Sequence, residues 1–247
     1  FIFAIIIVTI FSTMAGFGVY FGVVFGLIFS LISALYSYYF GDKVVLKISR
    51  AREITKKDFP VLLNIIEGLS LGNGLPMPKI YVMDDNSINA FATGRDPQHA
   101  SIAVTTGALT KLNKEELEGV LAHEISHIKN YDIRLMVLTS VLVGTIVMLS
   151  DLFVRGFLFS RSGNDEKKGG NLNVVILVIV FALAILSPLF ANMMKLAISR
   201  SREFLADSSG SLLTKNPKGL ANALKKISND HNTLKTANHA TAHLFIS

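Results

Sequence analysis

The chain has no cysteine, which excludes disulfide bonds and thiolate metal sites and leaves any metal to His, Asp or Glu. It also has little charge. Only 17% of its 247 residues are Asp, Glu, Lys or Arg, against 51% hydrophobic, and the mean hydropathy is +0.48. An ordinary soluble domain is less apolar than this. The scarcity is concentrated in blocks. Residues 1–41 contain no Asp, Glu, Lys, Arg or His, residues 135–154 carry only Asp151, and residues 172–194 carry none. About 20 apolar residues cross the hydrocarbon core of a bilayer, so each later block is long enough for one span. The first block is long enough for almost two: the tail of one span, a tight turn within 12–18, and a full span ending near residue 40. A secretion signal is the competing reading of the start, weakened because no basic region precedes the apolar stretch in this sequence, which opens on Phe with residues expected upstream. No interleaving of basic and aromatic residues points to nucleic acid, whereas the net charge of +6 suits a neighbour of anionic lipid.

The basic residues sit beside the apolar blocks. Lys43, Lys47, Arg50, Arg52, Lys56 and Lys57 follow the first, and Lys195, Arg200 and Arg202 follow the last. That bias favours the cytoplasmic side for both segments. The connector SRSGNDEKKGGN also carries Arg161, Lys167 and Lys168, so the asymmetry is modest. Between the blocks, Asp58-Phe59-Pro60 reads as a helix start, VLLNIIEGL as the helix and GNG as its end. PKIYVMDD, INAFATG and SIAVTTG read as short strands, the last two separated by the loop RDPQHA. Asp84, Asp85 and Asp96 are expected in turns, and His99 and His231 in solvated loops. Pro188 is expected to kink the last span, and Asp151 to sit near an interface or against the bundle. The fold class expected is a predominantly helical α+β membrane protein with a small β-sheet.

Asn113 followed three residues later by Glu116 has the layout of a capping box, and Glu115, Glu116 and Glu118 suit the positive end of a helix running from 114 to about 130. That helix carries AHEISHIKN, residues 122–130. His123 and His127, four apart, project from one face at adjacent turns, where both imidazoles can reach one tetrahedral zinc. Glu124, displaced by one residue, faces the open coordination position and can take a proton from an attacking water and return it to a leaving amine. This is H-E-x-x-H, the pattern of metal-assisted peptide hydrolysis. With six His and eight Glu, shuffled chains of this composition would contain it in about 0.5% of cases. The bland alternative is a pair of surface histidines; the capped helix favours the metal.

A catalytic zinc takes three protein ligands and keeps one position open. Asp132 lies close in sequence but would more simply cap the helix end or orient a neighbour. Glu203 and Asp207, in SREFLADSSG, are again four apart on a helical face. Glu203 can ligate while Asp207 accepts a hydrogen bond from the far nitrogen of a zinc histidine. Otherwise Arg200, Arg202, Glu203 and Asp207 form an ordinary charged face that pairs within itself. Two crossings separate His127 from Glu203, so both return to one side of the membrane.

In the order AHEISHIKNYD, two hydrophobic segments, SREFLADSSG, the chain resembles the HtpX-type membrane zinc metalloproteases, relatives of the CAAX prenyl proteases. INAFATG, TTGALTKLNKEELEGVLAHE and NPKGLANALKKI extend the likeness over most of the chain. The resemblance implies a zincin-like (gluzincin) catalytic domain with one zinc per subunit on His123, His127 and Glu203. Glu124 would be its general acid/base and Asp207 an outer partner. It further implies a multi-pass protein of the plasma membrane with a cytoplasmic site, acting in stress-related quality control on unfolded or misassembled membrane proteins. Other membrane proteases, or the chain itself, are open as partners. Asn89, Ala90, Phe91 and Ala92 would form an edge strand against which an extended substrate lies; on residues alone, an interior strand serves as well. The family's His-Pro-rich stretch near the C-terminus, whose His is held to stabilise the oxyanion, has no counterpart before TAHLFIS, and neither His239 nor His243 takes that role. With Phe at position 1, this gives the expectation of a piece shortened at both ends.

The expected organisation follows. Residues 1–40 form an N-terminal transmembrane hairpin with its first span cut short, and 41–134 form a first catalytic part with the sheet and the motif helix. Residues 135–194 form a membrane helix pair, and 195–247 a second catalytic part that brings the third ligand. The competing function is a catalytically silent metal-binding scaffold or transporter component. A structural site would want four protein ligands, and only three are evident.

Overall fold

The structure, a computed structural model, describes residues 5, 8–9, 12–13, 16–138 and 200–230. Asp151, Pro188, His231, His239, His243 and nearly all of the two later apolar blocks lie outside the described residues. The chain divides into two compact units, Phe1–Phe40 with Thr145–Leu189 and Gly41–Gly144 with Phe190–Ser247.

Helix α1, Val19–Ile48, is among the described residues the one helix long and apolar enough to cross a membrane. Its aromatic and branched residues face outward: Phe21, Phe25, Leu31 and Ile32 are each more than half exposed. It runs eight residues past the expected end at Phe40. The extension has a packing cause, since Val45 and Leu46 are buried against Met83, Phe91, Ala103 and Met136.

The second unit is built on a four-stranded mixed sheet. Its strands are β1 (Arg52–Glu53), β2 (Lys79–Met83), β3 (Ala90–Gly94) and β4 (Ala100–Thr105), in the order β1-β2-β4-β3. Only β2 and β4 run parallel. Side chains alternate across the sheet. Ile80, Val82, Ala90, Ala92, Ile102 and Val104 face one core, and Met83, Phe91 and Ala103 the other. Both faces are covered, so the strands read as nearly unbroken apolar runs. At the end of β3, Gly94 adopts φ +143°, and a Cβ there would collide with the His99 carbonyl.

Helix α2, Pro60–Gly72, starts with Pro in its first turn, where the missing N–H is no loss, and buries Leu62, Ile65, Ile66 and Leu69. Asp58 does not cap it; its carboxylate accepts from the Thr55 N–H and hydroxyl. A short helix not foreseen from the sequence, α3 (Thr106–Lys111), follows β4 directly, with the Thr105 hydroxyl accepting from the Ala108 N–H. Asp96 caps the 3-10 turn Pro97–His99 and accepts from His99 through both its N–H and its ring.

Helix α4, Lys114–Lys129, has the expected capping box. Asn113 Oδ1 accepts from the Glu116 N–H, and Glu116 Oε2 from the Asn113 N–H, both at 2.9 Å. Lys226 adds an ion pair to the same carboxylate at 2.7 Å. From Leu117 to Ile128 all but one residue is buried, because α2, β3 and the helices α5 (Arg200–Thr214) and α6 (Pro217–Ser228) all pack on it. Two glycines set these crossings. A Cβ at Gly119 would lie 2.5 Å from the Leu220 nitrogen, and one at Gly210 would lie 3.1 Å from the His123 nitrogen. Helix α5 therefore passes directly behind the first histidine of the motif.

Candidate metal centre

The i, i+4 spacing on α4 brings His123 Nε2 and His127 Nε2 to 3.1 Å. From α5, Glu203 Oε2 lies 3.6 Å from His123 Nε2, and Oε1 lies 3.8 Å from His127 Nε2. One donor atom from each of the three residues falls within 4.8 Å of the others. A tetrahedral ion with bonds of about 2.0–2.1 Å separates its donors by roughly 3.3–3.4 Å. The three separations bracket that value, and two imidazoles with one carboxylate are a donor set zinc accepts, so the residues fit the metal. The histidines are buried, while the Glu203 side chain is 44% exposed, which leaves the cluster open on its carboxylate side.

Each imidazole has a carboxylate behind it. Asp132 Oδ2 lies 3.1 Å from His127 Nδ1. Asp207 Oδ1 lies 2.9 Å from His123 Nδ1, at hydrogen-bond distance but off the hydrogen-bond direction. Burial works against charge on His123, but the close Asp207 and Glu203 carboxylates and the nearby Glu124 charge outweigh it. The imidazole is pushed up to about 10. Glu203 is held below its ordinary range, first by the His123 imidazole 3.6 Å away, and burial opposes this only in part. Burial raises Asp132 too, yet its bonds to His127 and Arg202 win and keep it ionised. Four carboxylates around two imidazoles make a site that calls for positive charge.

Glu124 sits differently. It is 4% exposed and its Oε2 accepts from the Ala92 N–H of β3 at 2.8 Å. Burial pushes its carboxyl up, against the lowering effect of the two histidines and that N–H. A carboxyl so poised can both accept and release a proton.

Among the described residues strand β3 ends the sheet. Asn89, Ala90, Phe91 and Ala92 are all buried, the N–H of Ala90 is taken by Asn89 Oδ1 and that of Ala92 by Glu124. The charged-face alternative for α5 does not describe this arrangement, because Glu203 and Asp207 face the histidines and Arg202 reaches Asp132. Asp132 as third ligand is disfavoured by geometry: it stands at Nδ1 of His127, whereas the donor cluster is at Nε2. Asp85, expected in a turn, is buried and accepts from the Ser87 N–H and hydroxyl, bracing the loop before β3. The contact missed from the sequence is Arg202 with Asp132, 70 residues apart; the nearest signal was that Asp132 is the last acid before the apolar block.

The profile of peptidase family M48 matches residues 56–244. Proteins named protease HtpX homolog are similar over 85% of this chain. That of Dictyoglomus thermophilum is 52% identical over 211 residues and 68% of its own length. That of Dictyoglomus turgidum is 49% identical with the same coverage, and that of Caldanaerobacter subterraneus subsp. tengcongensis 45% identical over 212 residues and 71% of its length. The crystal structure of S. mikatae Ste24p superposes with a TM-score of 0.53 at 22% identity, covering 88% of this chain and 54% of that one, a likeness of fold. A family profile spanning most of the chain, relatives at this identity and a His-His-Glu cluster with a buried glutamate beside it agree: the chain belongs to peptidase family M48.

Proposed function

We propose that the chain is an integral-membrane zinc endopeptidase that hydrolyses peptide bonds of misfolded or damaged membrane proteins. His123, His127 and Glu203 hold the metal, and Glu124 acts as general base and then acid. The observation that carries this reading is the convergence of three donors within 4.8 Å, with a buried, proton-ready glutamate beside them and one side open. Zinc, when bound there, supplies Lewis acidity that polarises the scissile carbonyl and acidifies water. The rest is done by the chain. Glu124 accepts the proton of the attacking water and delivers it to the leaving amine, and the Ala92 N–H holds its carboxylate in place. Asp132 holds the His127 ring by a hydrogen bond and the Asp207 carboxylate lies against Nδ1 of His123, so that Nε2 of each ring faces the cluster.

In this reading Asn89 to Ala92 are the strand beside which an extended substrate lies. The support is that β3 is, among the described residues, the terminal strand of the sheet and that Glu124 accepts from the Ala92 N–H, which sets this strand beside the proposed base. The exposed apolar surface of α1 and the basic residues that follow it support a membrane anchor with the site on the cytoplasmic side. Residues 135–194 would then cross and return, which keeps Glu203 on the side of His127. The division into an N-terminal hairpin (1–40), two catalytic parts (41–134 and 195–247) and this membrane pair belongs to the same proposal. The test is Glu124→Gln in detergent with an unfolded casein substrate: zinc stays stoichiometric and cleavage stops. Cleavage at the wild-type rate would refute the peptidase mechanism.

A further inference from the structure

The carboxylate behind His127 is itself held. Asp132 is 5% exposed through its side chain, with Oδ2 on His127 Nδ1 at 3.1 Å and Oδ1 on Arg202 Nη1 at 2.5 Å. Getting Asp132 there takes an unfavourable turn. Helix α4 ends at Lys129 with Asn130 as its C-cap, and Tyr131 then adopts φ +61°, a left-handed conformation that helix ends ordinarily give to glycine. A non-glycine residue in that region is strained and persists where its surroundings over-determine it. Here the surroundings include the Tyr131 N–H bond to the Ile128 carbonyl and the two anchors of the next residue, an imidazole on one oxygen and a guanidinium on the other.

We propose that Arg202 is a positioning residue of the metal centre. By fixing Asp132, it sets the Nδ1–H tautomer and ring plane of His127, and so presents Nε2 to the metal. This rests on the zinc peptidase reading above. A neutral imidazole binds a metal through one nitrogen only if the proton is kept on the other, and a fixed acceptor at Nδ1 keeps it there. A carboxylate covered by protein and bonded to His127 alone would be free to rotate. The guanidinium, planar and permanently charged, removes that freedom, and a lysine ammonium does not reproduce its geometry. Arg202 also directly precedes Glu203 on α5, so the contact ties the helix carrying the carboxylate ligand to the end of the helix carrying both histidines.

The experiment measures zinc affinity by graded chelator competition on the full chain in detergent, together with thermal melting of the metal-free chain. The variants are Arg202→Gln, Arg202→Lys, Asp132→Ala and the double variant Arg202→Gln/Asp132→Ala. Arg202→Gln is expected to weaken zinc about 10–100-fold, the usual cost of losing an outer partner of a metal ligand, with the metal-free chain still melting as a folded protein above the assay temperature. Arg202→Lys falls between it and wild type. In the Asp132→Ala background, Arg202→Gln costs nothing further, because its effect runs through Asp132. Wild-type affinity in Arg202→Gln, or losses that add in the double variant, would overturn the proposal. If Arg202→Gln does not fold, Arg202→Lys decides, and wild-type affinity there overturns it. A wild-type chain that binds no zinc defeats the functional reading itself; a zinc-loaded wild type with a tolerant Arg202 defeats this inference alone.

Discussion

Gly119 and Gly210 place α6 and α5 against the same helix, yet only one crossing lies behind the metal site, so alanine at the two positions should damage different properties. At Gly119 a Cβ meets the Leu220 nitrogen at 2.5 Å and its Cα at 2.9 Å; at Gly210 it meets the His123 nitrogen at 3.1 Å, the Ala122 carbonyl carbon at 3.2 Å and the His123 Cα at 3.3 Å. All are backbone atoms that cannot swing aside, and ordinary contact begins at 3.4 Å. Alanine in a helix interior gains about 1 kcal/mol over glycine, whereas overpacking costs about 1–3 kcal/mol. Gly119→Ala needs a shift of most of an ångström and falls at the costly end, for a net loss of roughly 2 kcal/mol. Gly210→Ala needs only a few tenths of an ångström, and the two effects nearly cancel. That small displacement, however, moves α5 relative to His123, and Glu203 rides on α5. Melting temperature and zinc affinity, measured on both variants, should therefore rank them in opposite orders. Gly119→Ala melts lower, and Gly210→Ala binds zinc more weakly. If Gly210→Ala melts higher and binds zinc as wild type does, the crossing is looser than argued and does not set the distance from Glu203 to the histidines.

Replacing Glu116 by Gln removes the charge shared by the capping box and Lys226, and should cost about 1–2 kcal/mol at neutral pH in a denaturant titration. Burial raises this carboxyl, but the Lys226 and Asn113 bonds lower it further, so its folded pKa lies below the ordinary 4.5. The advantage over Gln is then complete above pH 4.5 and disappears as pH falls through the folded value; a difference unchanged by acid would contradict the assignment. Glu203→Ala should lower zinc occupancy, while Asp207→Asn should leave zinc bound but about 10–100-fold more weakly. Undiminished occupancy in Glu203→Ala would reopen the choice of third ligand. Removal of the metal by chelator should stop casein cleavage and lower the melting temperature, and added zinc should restore both.

What the sequence revealed and what it hid divide along physical lines. The capping box, the proline start of α2 and the face shared by His123 and His127 are local, set by spacings of three and four residues, and were legible. Helix α1 outran its expected end because tertiary packing of Val45 and Leu46 decides that boundary, and the charge at Asp42 and Lys43 marks at most where a membrane would end. The start of helix α3, Thr106 and Gly107, was hidden at the end of a run read as strand, since Thr105 belongs to β4 and also caps the helix that follows. The bond between Arg202 and Asp132 joins residues 70 apart, and no local pattern records such a pairing. Asp132 was visible as a residue that could orient a neighbour; which neighbour, and what held it, needed coordinates.

X-ray absorption at the zinc edge, on the intact chain and on Glu203→Ala, tests the central claim most directly. The claim predicts two imidazole nitrogens and a carboxylate oxygen around one zinc, with the carboxylate signal and much of the bound zinc lost in the variant. A zinc shell unchanged by Glu203→Ala, or a chain that takes up no zinc, would contradict it.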